Sequence, residues 1–341
     1  MKVLVTGSQG FIGSTFTETL LSAGASVHGI DSYIKYGKVQ RQHDNHINFR
    51  LYELDLIKDF AAIRSTALEE KYDYIVHFCS RIGGISFFHK FAHEIIRDNS
   101  IMDALIVDLA CELHSMDYGF KRFVGMSSSM IYESAAPEHF PTQESCIDKI
   151  PPPISAYGFS KLQLIYQLKA ANKSCGLEYS CCVPFNAVGI NENEALGADE
   201  VFVGTSKLLL SHVLPDLIHK AMIGGPDKPL EILGNGEQCR CYTNTEDLAR
   251  GIMACMIMPE AANEIFNLSV KERATVKQLA EIVWRELHGN TPLTFTNAPA
   301  YEYDVQMRQP DVSKAERVLG FTATTPLVDS VRQVIRWMKS Q

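Results

Sequence analysis

The residue types and spacings able to do chemistry fall at three places along this chain. Thr6-Gly7-Ser8-Gln9-Gly10-Phe11-Ile12-Gly13 lies directly behind the apolar run Val3-Leu4-Val5. A strand that stops in glycines and feeds a helix lets the backbone approach a pyrophosphate, whose charge the helix N-terminus favours. One helix later a second apolar strand, Ser26 to Ile30, ends in Asp31. A carboxylate there can bind both hydroxyls of an adenosine ribose and would repel a 2'-phosphate, which favours NAD over NADP. Lys35, Lys38 and Arg41 follow and keep NADP open, and an ordinary acidic loop residue is the plainer reading of Asp31.

The other two places concern proton transfer. Tyr157 and Lys161 open a long helical segment behind Pro151-Pro152-Pro153, and a spacing of four puts them on one helical face. A tyrosine hydroxyl is a poor base at its ordinary pKa of about 10, but a neighbouring ammonium and a cationic nicotinamide ring both stabilise the phenolate. Upstream, Ser127-Ser128-Ser129 ends the strand that begins near Arg122, at the carboxyl edge where an open α/β sheet does its chemistry. A serine hydroxyl there can hydrogen-bond a substrate oxygen that becomes a ketone and can share its proton with Tyr157. Serines ending a strand also cap the next turn, and a tyrosine with a lysine four residues on arises by chance in a chain with 13 tyrosines. Only the surrounding pattern can separate these readings.

Those residues need a scaffold, and the first half of the chain supplies its pattern. Short β-branched runs at Lys2 to Thr6, Ser26 to Asp31, Asn48 to Leu54, Tyr74 to Phe78, Arg122 to Ser127 and Tyr179 to Pro184 read as strands. Periodic segments between them, such as Asn99 to Met116 and Ala156 to Ala171, read as helices. The alternation predicts an α/β fold: a Rossmann-type, doubly wound parallel sheet covered on both faces. After Asn186 the pattern changes to an acidic loop (Asn191 to Gly204), helices at Thr205 to Met222 and Glu246 to Met258, and strand-like pieces at Leu230 to Leu233 and Ile265 to Leu268. The expected division is a dinucleotide-binding domain over 1–185 and a smaller substrate lobe over 186–341, with short pieces returning to the main sheet.

At 341 residues the chain has ample core without staples. Its net charge of -8 comes without a long run of either sign, so neither a nucleic-acid nor a membrane surface is expected, and acidic substrates must meet local basic groups. Nine cysteines, with Cys181 and Cys182 adjacent and Cys239 and Cys241 one residue apart, suit no zinc spacing. No apolar run reaches spanning length and no signal peptide precedes the first strand, so the reading is of reduced thiols and a cytoplasmic protein. His89 and His93 stand four apart beside Glu94, a spacing compatible with metal on a helix, but no third ligand is in view and no metal is expected.

The T-G-x-x-G-x-x-G turn, Asp31, Asp55-Leu56, the serine cluster before Ile131-Tyr132 and the Tyr157/Lys161 pair fall in the order seen in the extended short-chain dehydrogenase/reductase family. Over almost the whole chain the sequence resembles the nucleotide-sugar epimerases and dehydratases of that family. The resemblance implies NAD as cofactor, a nucleotide-diphosphate sugar as substrate and a homodimer. It puts cofactor contacts at Gly7, Gly10, Phe11, Ile12, Gly13, Asp31, Asp55, Leu56, Cys79, Ser80, Arg81, Asn99, Tyr157, Lys161 and Pro184. Substrate contacts fall at Ser128, Ser129, Asn186, His212, Arg240 and Arg308, the two arginines suiting a diphosphate. By itself each arginine reads as a solvated surface side chain. Alignment on Tyr132 makes Ser128 the catalytic serine, beside Tyr157 and Lys161.

The neighbours of Ser128 discriminate among the reactions that the resemblance allows. The family's 4,6-dehydratases carry Asp-Glu where Ser129-Met130 stand here, its decarboxylases a glutamate at Met130, and GDP-mannose 3,5-epimerase and GDP-fucose synthase a cysteine there. What survives is hydride and proton transfer at one carbinol, the chemistry of UDP-galactose 4-epimerase. Against this, Ser211-His212-Val213-Leu214-Pro215 and Ile82-Gly83-Gly84-Ile85 are similar to segments of GDP-fucose synthase, making His212 a candidate catalytic acid. A hydrogen-bonded helix residue is an equal reading of His212. Cys79-Ser80-Arg81 replaces the usual Ala-Ala stretch, and Glu133 a common glycine. A net reductase of a 4-keto sugar, and a non-catalytic nucleotide sensor on the same fold, stand as alternatives.

Overall fold

The computed structural model describes residues 1–83, 87, 90–193, 202–203, 206–207, 212–299 and 305–341, with backbone alone at 202–203 and 206–207. Seven parallel strands form one sheet: β1 (Lys2–Thr6), β2 (Ser26–Asp31), β3 (Phe49–Glu53), β4 (Tyr74–His77), β5 (Arg122–Met126), β6 (Tyr179–Pro184) and β7 (Glu264–Leu268). Their order across the sheet is β7-β6-β5-β4-β1-β2-β3. The winding reverses between β1 and β4, and a crevice therefore opens beyond their carboxyl ends.

The sheet is parallel because its strands are apolar on both faces: β4 and β5 are buried at every position, and β1 at all but its first. On one face pack α2 (Phe60–Glu70), α3 (Ala92–Ser115) and α4 (Ala156–Cys175), around Leu4, Ile75, Ile106, Phe123 and Leu164. The other face is covered by α1 (Phe11–Ser22) and α6 (Thr245–Ile257), around Val5, Phe16, Val124, Ile252 and Phe266. A third core, with Leu217, Ile218, Trp284 and Val334, lies among α5 (Val213–Gly224), α7 (Val276–His288) and α9 (Leu327–Ser340), beside the strand pair Leu230–Leu233 and Phe295–Ala298. Short α8 (Ser313–Leu319) packs on β7.

Two helices differ from their sequence reading, and one short strand finds its place. Helix α3 begins at Ala92, not near Asn99, because its buried face runs through the polar Asn99 and Asp103, which interrupt the apolar period. Helix α5 begins at Val213, not at Thr205: Ser206–Lys207 pair antiparallel with Phe202–Val203, and the rest of 204–211 lies outside the described residues. The strand at Ile265–Leu268 is one of the short pieces expected to return to the main sheet: it forms its edge, paired with β6. Short apolar runs do not reveal which sheet they join.

Asn267 in β7 ties the late chain to the sheet. Fully buried, its amide donates to Thr142 O (3.0 Å) and Asp311 O (3.1 Å), and its carbonyl accepts from Tyr132 OH (2.9 Å). Replacing it by Leu removes the carbonyl partner of the buried Tyr132 hydroxyl and one bond each to Thr142 O, which keeps the Asp311 N–H, and to Asp311 O, so Asn267→Leu is predicted to cost roughly 2 kcal/mol or more in urea unfolding. A loss below about 1 kcal/mol would show that these bonds do not hold β7 in place.

Candidate active site

Gly7 turns the chain out of β1 with φ +73°. A β-carbon on Gly7 would meet Cys79 N at 3.0 Å, and one on Gly13 would sit 2.0 Å from Gly7 O. Only glycine lets strand, turn and helix pack this closely. Helix α1 therefore starts at the crevice with Gly10 as N-cap, no side chain on its first N–H groups and no acid in its first turn. Buried Phe11 and half-buried Ile12 complete that turn. At the end of β2, Asp31 accepts from Gln9 N–H (3.0 Å) and Tyr33 N–H (2.8 Å). Burial pushes its carboxyl up, while those N–H groups and Arg41 pull the other way. Ser80 holds a buried hydroxyl with no partner among the described residues. A helix N-terminus with no side-chain cap, a side-chain-free cradle and an acid at the second strand fit a dinucleotide, whose diphosphate α1 and whose ribose Asp31 would hold.

Several neighbours are engaged with the protein itself. Arg41, 4% exposed, donates from Nε (3.1 Å) and Nη2 (2.7 Å) to Gln9 O, and from Nη1 to Asn193 Oδ1 (2.9 Å). Lys38 pairs with Glu53 at 2.9 Å. Asp55 accepts from Ile57 N–H and Lys58 N–H, capping its own turn, and Leu56 beside it is buried. Asn99 is a clamp: its carbonyl accepts from Arg81 N–H (2.6 Å), and its amide donates to Ser160 Oγ (3.1 Å). This holds the Cys79-Ser80-Arg81 loop against α4, while Arg81 pairs with Asp98 at 2.7 Å. Burial raises the Cys79 thiol to about 12.

Tyr157 and Lys161 lie in the first turns of α4, whose N-cap Ser155 accepts from Gly158 N–H at 3.0 Å. Glu133 in turn accepts from Ser155 Oγ at 2.6 Å. A β-carbon on Gly158 would lie 2.8 Å from Met130 O, so glycine is what lets α4 lean on the turn after β5. In that turn Ser128 Oγ accepts from Met130 N–H (3.2 Å) and lies near enough to the Tyr157 hydroxyl to favour its phenolate; Ser129 is buried in the same turn. The Tyr157 phenol is pushed well up by burial, opposed by the Ser128 hydrogen bond and the Arg308 charge and assisted by Asp103. Lys161, 2% exposed, donates to Met126 O at 3.1 Å, with Nζ 5.9 Å from the centre of the Tyr157 ring. Burial lowers its ammonium and Asp103 opposes this. Behind it stands a pair not read from the sequence, where buried His77 Nε2 meets Asp103 Oδ1 at 3.0 Å and Nδ1 meets Thr6 Oγ1 at 2.7 Å. A polar residue four past Asn99, on the same helical face, was the available signal.

The expected substrate residues come from three segments. Pro184 ends β6, and Asn186 follows with φ +32° and a buried side-chain carbonyl that has no partner among the described residues. Arg240 and Arg308 follow a backbone bridge, Cys239 with Met307, which sets the two arginines side by side. His212 lies N-terminal to α5, its ring 6.3 Å from that of Phe11, and its Nδ1 pairs with buried Glu192. Glu192 thus has a partner; the rest of the acidic loop, from 194 to 200, lies outside the described residues, as do Gly84, Ile85 and His89. Among the described residues no cluster could hold a metal ion, and no helix is long and apolar enough to cross a membrane.

A glycine cradle at the sheet's switch point and a Ser-Tyr-Lys group at its carboxyl edge define a dinucleotide-dependent α/β enzyme class. The chain belongs to the NAD dependent epimerase/dehydratase family, whose family model matches residues 3–269. It is 25% identical to a UDP-glucuronate 4-epimerase of Thermodesulfobacterium geofontis, covering 98% of this chain and 95% of that one. It is 22% identical to a GDP-L-fucose synthase of Dictyostelium discoideum, covering 98% and 94%. Its fold matches the structure of a Thermotoga maritima UDP-glucose 4-epimerase with UDP-glucose, with a TM-score of 0.82 and 21% identity over 100% of this chain and 99% of that one.

Two outcomes are predicted. Gly13→Ala sets a methyl group into Gly7 O and should abolish dinucleotide binding measured by calorimetry, while secondary structure by circular dichroism persists. In cofactor-free protein the Tyr157 phenol should ionise above its ordinary value of about 10, and Ser128→Ala, which removes a bond to the phenolate, should move it higher. Ultraviolet difference titration against Tyr157→Phe reads this, and ionisation at or below about pH 10 would contradict it.

Proposed function

We propose that this protein is a nucleotide-sugar epimerase that works with bound NAD and inverts C4 through a 4-keto sugar. The observation that carries the reading is buried Tyr157 beside Ser128, which favours its phenolate, and beside buried Lys161, with Met130 where a further acid or base would have to stand. When bound, NAD takes up and returns a hydride at the sugar carbon. Tyr157 accepts the proton of the 4-hydroxyl and later gives one back, Ser128 holds the same oxygen, and Lys161 supplies the charge that favours the phenolate. Arg240 and Arg308 hold the diphosphate, and Asn186 contacts it as well. Asp31 supports NAD, and Arg41, whose charge acts on Asp31, has its Nε and Nη2 taken up by Gln9 O. The division of labour at 186, a homodimer and a cytoplasmic site of action belong to this reading.

A second reading, reduction of a 4-keto sugar coupled to epimerisation, has one observation in its favour. His212 is paired with a buried carboxylate close to the glycine turn, an arrangement suited to a positioned acid.

The two differ in what the cofactor does over a cycle. Protein purified without added nucleotide is expected to release near-stoichiometric NAD or NADH on denaturation, and to interconvert C4 epimers among UDP-, GDP- and dTDP-sugars. Tyr157→Phe should lower kcat by roughly 100- to 10,000-fold with cofactor content unchanged. An empty protein that consumes NADPH only with a keto sugar would replace the first reading by the second. Unchanged biological effect in the Tyr157→Phe variant would instead mark a sensor.

A further inference from the structure

Away from the site, the far ends of the two helices that carry it bring a pair of thiols together. Cys111 lies near the C-terminal end of α3, and Cys175 is the last residue of α4. Their Sγ atoms are 3.1 Å apart although 64 positions separate them in sequence. A disulfide bond is about 2.05 Å long, so closure asks for an approach of about 1 Å. The chain is built to give there: Cys175 is exposed and is followed by Gly176, which ends the helix with φ +78°. Five of the other cysteines, Cys146, Cys181, Cys182, Cys241 and Cys255, are buried, and Cys79 belongs to the candidate site.

We propose that Cys111 and Cys175 form an oxidation site, a dithiol that hydrogen peroxide converts to an intramolecular disulfide. The exposed Cys175 reacts first. Its thiolate attacks a peroxide oxygen, the O–O bond breaks, and Cys175 sulfenic acid and hydroxide form. Cys111 then gives up its proton, its sulfur attacks the sulfenic sulfur, the S–O bond breaks and water leaves. The two sulfurs together lose two electrons, the peroxide gains them, and two waters are the net product. Burial and the adjoining Cys175 sulfur push the Cys111 thiol up, which leaves the exposed Cys175 to meet the peroxide first.

The bond would close a loop that holds β5, Ser128, Tyr157 and Lys161, fastening α3 to α4 at the ends remote from Asn99 and Tyr157. A cross-link across a loop of this length restricts the unfolded chain and raises the melting temperature. The inference does not depend on which reaction the site performs.

Full-length reduced protein, desalted and treated with hydrogen peroxide, is the test, read by peptide mapping after thiol blocking. The expected result is one linked peptide pair containing Cys111 and Cys175, loss of two of the nine thiols, recovery of both with dithiothreitol, and a higher melting temperature before recovery. Cys175→Ser should abolish the link, and Cys111→Ser should leave a Cys175 sulfenic acid that dimedone traps. Sulfinic acid at Cys175 with Cys111 still free would overturn the proposal. So would a link between two chains, seen as a doubled mass on a non-reducing gel.

Discussion

How near helix α4 can come to the turn after β5 decides whether this molecule has a site at all. The limiting contact is Gly158 against the Met130 carbonyl, where a β-carbon would sit at 2.8 Å. Without a side chain there, α4 leans onto the turn and carries Tyr157 to Ser128 and Lys161 to Met126 O. Ser155 and Glu133 fix the same approach from the outside by tying the helix N-terminus to the turn. The glycine cradle obeys the same rule, since Gly13 touches Gly7 O and so aims the start of α1 at the crevice. Both halves of the site are placed by backbone meeting backbone, and a single methyl group at either glycine would separate them.

The polar groups behind the site belong to one buried electrostatic arrangement. Lys161 is almost wholly buried, donates to the Met126 carbonyl, and has its charge opposed by burial. Asp103 supplies the compensating charge from α3, while its Oδ1 meets His77 and, through it, Thr6 at the end of β1. Burial lowers the His77 imidazole, so the neutral ring donates from Nε2 to the carboxylate and accepts from Thr6 at Nδ1. The same carboxylate works against ionisation of Tyr157, whose phenol burial already holds up. In the cofactor-free protein Tyr157 is therefore a resting acid, and a cationic ring brought beside it shifts the balance toward the phenolate.

The second half of the chain is interleaved with the first. Strand β7 and helix α6 complete the main sheet and its outer layer, and Asn267 and Asp247 bind segments far apart in sequence. The third core, among α5, α7 and α9, is built wholly from this half, and Arg240 and Arg308 follow one backbone bridge within it. Arg308 lies close enough for its charge to act on Tyr157, which links the two halves electrostatically.

Much of this was legible in the residues alone, because it is local. Glycines behind an apolar run, an acid at the end of the second strand and a tyrosine and lysine four apart each report on a turn, a strand end or one helical face. Strands β1, β4, β5 and β6 could be read for the same reason: a buried parallel strand is an unbroken apolar run. The sequence by itself thus determined the elements, their alternation and the family. Tertiary structure alone decided what depends on contacts across the chain: that the short run Ile265–Leu268 joins the main sheet, that Glu133 clamps Ser155, that Asp103 backs Lys161 and that Glu192 meets His212. Such pairings arise from packing between segments tens of residues apart, and no local periodicity encodes a partner that distant.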